Sequence, residues 1–133
     1  MLVSLTACQA RDAGPAILAS DTTCAYCRMR VSDPRLASQV LIPGEEPRFF
    51  DDLGCLTKFL ADSPGLAQRA RIYVADHRTG VWTPADRAVY TRTVSVTASM
   101  GSRLVAHAST VSRDADPASA GGADVGVREV LGP

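Results

Sequence analysis

Leu36-Ala37-Ser38-Gln39-Val40-Leu41-Ile42 leads through Pro43-Gly44-Glu45-Glu46-Pro47 into Arg48-Phe49-Phe50-Asp51-Asp52 and then Leu53-Gly54-Cys55-Leu56-Thr57-Lys58-Phe59-Leu60-Ala61. The first run has the β-branched, apolar character of a strand, the second is an open turn, and the third returns, so a β-hairpin is expected. Asp51 or Asp52 is placed to cap a helix, along which Leu53, Leu56, Phe59 and Leu60 fall on one stripe. Ser63-Pro64-Gly65 stops it. Two strands and a helix thus follow in tandem.

The pattern then repeats. Ala70-Arg71-Ile72-Tyr73-Val74-Ala75-Asp76 reads as a strand, and His77-Arg78-Thr79-Gly80 turns it into Val81-Trp82. Thr83 to Ala88 is expected to form one helical turn with Pro84 at its start, followed by the strand Val89-Tyr90-Thr91-Arg92. Strand, hairpin, helix and strand thus echo the first half. Farther on, Met100-Gly101 sits in a polar turn between two strand-like runs, Val94 to Ala98 and Arg103 to His107. Residues 109–133 predict a short helix, a turn and a last short strand, loosely held.

A chain of 133 residues with 46% apolar composition is one domain, or two very small ones. Fourteen basic and fourteen acidic residues cancel, which leaves no basic field for nucleic acid. No apolar run approaches the roughly 20 residues of a membrane-spanning helix. No acid–base pair, nucleophile constellation or phosphate-binding loop stands out, so an enzyme is not expected.

Sulfur is concentrated in Asp21-Thr22-Thr23-Cys24-Ala25-Tyr26-Cys27-Arg28-Met29-Arg30-Val31. Thiolates and thioethers are polarizable ligands that suit Cu(I). In an extended segment Cys27 and Met29 point to one side, and Cys24 joins them only if the chain turns between. Met100, poorly placed for a core methionine, is a candidate third sulfur ligand. Arg28 and Arg30 are candidates for lowering a thiol pKa, or are solvated surface charges, and Tyr26 is expected to pack. Cys-x-x-Cys also serves redox dithiols, half of a zinc site or a plain disulfide, and these readings stay open on spacing alone. Cys55, beside the apolar stripe, reads as a small buried hydrophobe.

At the start, Leu5-Thr6-Ala7-Cys8 resembles the lipobox of bacterial lipoproteins, with Cys8 as the lipidated residue. No basic residue precedes it and the apolar stretch is short, so residues 1–8 are read as a signal segment shortened at its start. Residues 9–20, small and turn-rich, are expected to be a flexible tether, and residues 21–133 the folded domain.

Cys24-Ala25-Tyr26-Cys27-Arg28-Met29 with Ser32-Asp33-Pro34-Arg35, Phe50-Asp51-Asp52-Leu53-Gly54-Cys55, Asp76 to Trp82, Met100-Gly101-Ser102-Arg103-Leu104-Val105-Ala106 and Gly121-Gly122 together resemble the NosL family, accessory proteins of nitrous oxide reductase. The resemblance implies an α+β fold of two similar ββαβ units, also seen in organomercurial lyases. It implies a lipoprotein on the periplasmic or outer side of a bacterial membrane, held by the lipid on Cys8, that binds Cu(I) and hands it to copper-enzyme maturation machinery. Cys27, Met29 and Met100 fall on the positions expected to be metal ligands, with Cys24 an optional fourth. Ser99 stands where relatives tend to carry Pro, and His77 and His107 where aromatics are expected; either His is a candidate nitrogen ligand. A monomer is expected. The alternatives are an extracytoplasmic thiol-disulfide protein using Cys24 and Cys27, and a non-catalytic lipoprotein with a structural disulfide.

Overall fold

The computed structural model describes residues 14–98 and 100–133. Cys8 and the lipobox lie outside the described residues. Two antiparallel sheets form the frame. The first contains β1 (Ser38–Leu41), β2 (Arg48–Phe50), β3 (Arg71–Ala75) and β4 (Trp82–Pro84) in the order β2-β1-β3-β4. The second contains β5 (Val89–Arg92), β6 (Leu104–His107) and β7 (Ala123–Val125) in the order β6-β5-β7.

Helix α1 (Leu53–Ala61) lies between β2 and β3, and α3 (Thr110–Asp114) between β6 and β7. Each half is therefore a ββαβ unit whose third strand pairs with its first. The repeat is real, but it starts at β5 and not at β3. β4 is an addition to the first sheet, where Pro84 is tolerated because an edge strand does not require its missing N–H. The helical turn expected over Thr83 to Ala88 is instead the end of β4 and a tight turn in which Arg87 N–H donates to the Pro84 carbonyl at 3.1 Å.

Further differences have local causes. Val94 to Ala98 is not a strand: Thr93 Oγ1 accepts from Val96 N–H, and that local turn withholds the segment from the ladder. A short helix, α2 (Leu66–Arg69), follows the Pro64-Gly65 stop, and Leu66 is buried in the core. The chain ends in a helix, α4 (Val127–Leu131), rather than a strand. It is not loosely held: Val130 is fully buried, and its carbonyl accepts from Thr57 Oγ1 on α1 at 2.9 Å.

The main core runs between the units. Val40, Phe50 and Val74 from the first sheet, Tyr90, Leu104 and Ala106 from the second, and Leu53, Leu56 and Leu60 from α1 pack into one cluster. Burying these side chains supplies the main drive to fold, about 1.5–3 kcal/mol for each large one. Phe59 completes the expected stripe from the rim, its ring 5.0 Å from Phe50. A smaller cluster of Val31, Ala37 and Phe49 covers the other face, with Ala16, Leu18 and Trp82 against it. Ala16 also exchanges hydrogen bonds with the Gln39 amide, at 2.7 and 3.1 Å. The packed body thus extends back to Ala16, into the stretch expected to be a tether.

Candidate metal centre

The sulfur stretch is a loop, and it is not extended. Thr23 and Arg30 form an antiparallel bridge, and Cys24 N–H donates to the Met29 carbonyl at 2.8 Å. Between them Ala25 to Cys27 turns, closed by Arg28 N–H on the Cys24 carbonyl at 3.1 Å. Arg28 adopts φ 68°, a left-handed conformation that costs an L-residue roughly 1–2 kcal/mol. The alternation that placed Cys27 and Met29 on one side of a strand therefore does not apply. The turn instead brings Cys27 back beside Cys24.

The loop is docked where β2 meets α1. Ala25 N–H donates to the Phe49 carbonyl at 2.8 Å, and Asp51 Oδ1 accepts from Ser32 N–H at 2.9 Å. Asp52 caps α1 by accepting from Gly54 N–H at 2.6 Å. Cys55 follows in the first turn and points to the same place. The sulfurs of Cys24, Cys27 and Cys55 all lie within 4.8 Å of one another, and all three are free. With metal–sulfur bonds of about 2.3 Å, a trigonal site holds its sulfurs about 4 Å apart, so a slight closing suffices.

The three thiols differ in character. Burial works to raise Cys24, but the N–H groups of Asp51, Cys27 and Tyr26 and the Cys27 side chain favour its anion and leave it below its ordinary value. Burial also pushes Cys55 well up, and the negative charge on Cys24 pushes it further. Of the two buried sulfurs Cys24 is thus the easier to ionise and Cys55 the harder, and Cys27, partly exposed, is the sulfur nearest water. Cys55 is buried in the core as expected of a cysteine on an apolar stripe, and the structure adds that its sulfur lies beside the other two. Its place in the first turn of a capped helix, next to a glycine, was the available signal.

The methionines stand at the surface, Met29 49% and Met100 41% exposed. Both are tied to the cluster through backbone. Met29 is the hydrogen-bond partner of Cys24. The Met100 loop is held by Ser102, whose N–H donates to Asp52 Oδ2 at 3.3 Å and whose hydroxyl donates to Asp52 Oδ1. A Cβ on Gly54 would lie 2.9 Å from Ser102 Cβ, so the loop can sit on the start of α1 only because residue 54 is glycine. The adjacent pair Asp51 and Asp52 therefore clamps both loops onto the helix that carries Cys55.

His77 and His107 do not join the sulfurs. They meet Asp116 in a second, buried cluster: His77 Nδ1 is 2.6 Å and His107 Nε2 is 2.9 Å from Asp116 Oδ2. Burial opposes ionisation of Asp116, but the two histidines and the Ala118 N–H outweigh it and hold the carboxyl at about 2. An ionised carboxylate only accepts, so both of those ring nitrogens carry protons.

A cluster of three free thiols at a helix start, on a two-unit α+β frame, is a donor set that suits a soft metal ion. Residues 15–131 match the NosL family, and the chain belongs to it. The family's members are copper-binding accessory proteins of nitrous oxide reductase, generally extracytoplasmic lipoproteins. Among the described residues no helix is long and apolar enough to cross a membrane. No curated protein and no solved structure matches the chain.

Proposed function

We propose that this chain is a lipid-anchored, extracytoplasmic Cu(I) carrier that delivers copper to the maturation machinery of nitrous oxide reductase and catalyses no reaction of its own. The observation that carries the reading is the gathering of Cys24, Cys27 and Cys55 at the start of α1, with the Met29 backbone bonded to Cys24 and the loop of Met100 bonded to Asp52 through Ser102. Thiolate supplies charge and affinity, and the neutral thioethers are weaker and release first. Cys24 and Cys27 hold the ion against Cys55. Met29 and Met100 are the outer ligands through which it enters and leaves. Binding releases protons from whichever thiols are neutral, so affinity falls with acid. The lipid on Cys8 would place the carrier at the membrane surface.

Nitrous oxide reductase purified from cells lacking this chain should hold less copper, with loading restored by the wild-type chain and not by Cys27→Ser. Full loading without the chain would remove the delivery role. A second reading rests on the lowered Cys24 thiol: a dithiol exchanging disulfides through Cys24 and Cys27. It predicts turnover of a disulfide substrate that is indifferent to Met29→Ala and Met100→Ala, whereas the carrier loses its rate of Cu(I) transfer in both.

A further inference from the structure

His77, His107 and Asp116 come from three separate places in the fold: the β3–β4 turn, the end of β6, and the loop after α3. All three are more than nine-tenths buried. Their donor atoms converge on one point, Nδ1 of His77 and Nε2 of His107 both on Oδ2 of Asp116. The scaffold around them is independently pinned. Asp116 Oδ1 accepts from Ala118 N–H at 3.0 Å, and His77 N–H donates to the Ala106 carbonyl at 2.8 Å. Asp76, the residue before His77, accepts from Arg78, Thr79 and Ala108 N–H groups.

We propose that His77, His107 and Asp116 form a second metal site, separate from the cysteines, for a borderline divalent ion of the Zn2+ class. Two imidazoles and one carboxylate are a nitrogen and oxygen set that suits Zn2+ or Cu2+, whereas the sulfur cluster suits Cu(I). The spacing fits. Bonds of about 2.0 Å to a tetrahedral ion place neighbouring donors about 3.3 Å apart, so the present 2.6 and 2.9 Å need to open by about 0.7 and 0.4 Å. Three ligands leave the fourth position for water. Asp116 also borders a cavity of about 470 Å3, lined among others by Thr91, Arg113 and Asp124; the two histidines do not line it.

The protons can move aside. Each imidazole becomes a ligand by shifting its proton to its other ring nitrogen, with no net change in charge. For His107 that nitrogen, Nδ1, is buried with no hydrogen-bond partner, so the only bond that holds the ring's present tautomer is the one to Asp116 that the ion would replace. The ion would replace two hydrogen bonds with three ligand bonds and cross-link the second unit to the first sheet's terminal turn.

The test uses the full chain with its thiols already occupied by Cu(I), and Zn2+ as the only added divalent ion. These are the only two histidines in the sequence, so histidine ring nitrogen spectra report on the site without ambiguity. One equivalent of Zn2+ should convert both rings to the opposite tautomer together. A Co2+ titration should give a ligand-field spectrum at this site that persists when the thiols are occupied by Cu(I). Asp116→Asn keeps the acceptor for Ala118 N–H, and so keeps the turn; it should weaken Zn2+ at the histidines at least tenfold, as should His77→Gln. Ring signals that do not respond to Zn2+, or a response that survives both substitutions, would overturn the proposal and leave the triad as a hydrogen-bonded tie.

Discussion

Asp52→Ala tests how the copper site is assembled. The side chain accepts from Gly54 N–H as the helix cap and from both the N–H and the hydroxyl of Ser102. Loss of a cap costs about 1 kcal/mol. Each of the two bonds from Ser102 to a charged acceptor adds about 1.5 kcal/mol, for a total of about 4 kcal/mol. Asn accepts as a cap nearly as well as Asp and keeps the oxygen that takes the Ser102 hydroxyl, but its amide N–H2 meets the Ser102 N–H, so Asp52→Asn should lose only about 1–2 kcal/mol. Urea unfolding followed by Trp82 fluorescence, with a common m-value, measures both. The Ala variant should also melt roughly 14 °C lower. If Asp52→Ala unfolds within 0.5 kcal/mol of the wild type, the clamp does not exist as described, and the Met100 loop is not held to α1 through this carboxylate.

Two further outcomes follow from the same geometry. Gly54→Ala places a Cβ 2.9 Å from Ser102 Cβ; the overpacking should cost about 1–3 kcal/mol and slow Cu(I) transfer by displacing the Met100 loop, which stopped-flow transfer to a chelator would detect. Burial acts to raise Asp76, but donation from Ala108 N–H, the Ser112 hydroxyl and the Thr79 and Arg78 N–H groups holds it at about 2. A folded-state pKa below the unfolded value of about 3.9 gives stability that is present above pH 4 and lost as pH falls toward 2. Asp76→Asn should therefore be less stable at neutral pH and should flatten this acid limb by about 2 kcal/mol, read from urea midpoints between pH 2 and 5.

The frame was legible where local signals agreed with one another. The Ser38–Leu41 and Arg48–Phe50 hairpin, the helix capped by Asp52, and the strands at Arg71–Ala75 and Val89–Arg92 each had pattern, turn residues and length pointing one way. The repeat was legible as an idea and misplaced in register, because β4 is an extra strand that resembles the second half of a hairpin. Helix α4 was hidden by length. Five residues with Val127, Val130 and Leu131 carry too little periodicity to tell a helix from a strand, and only packing on α1 decides.

The site divided along the same line. Cys24 and Cys27 were visible as a motif, but the turn that joins them depends on a left-handed Arg28 and on docking against Phe49, neither of which has a local signature. Cys55 lies 28 residues beyond Cys27, and nothing short of the folded β2–α1 junction relates the two. His77, His107 and Asp116 were likewise separate residues until the β3–β4 turn, β6 and the loop after α3 came together.

The measurement that bears most directly on the carrier reading is an anaerobic Cu(I) titration of the reduced protein against a chromogenic chelator, wild type beside Cys55→Ala. The account predicts one tight equivalent in the wild type and at least tenfold weaker binding in the variant, because a residue 28 positions from Cys27 helps hold the ion. Wild-type affinity in Cys55→Ala would contradict it and return the site to the Cys24 to Met29 loop alone.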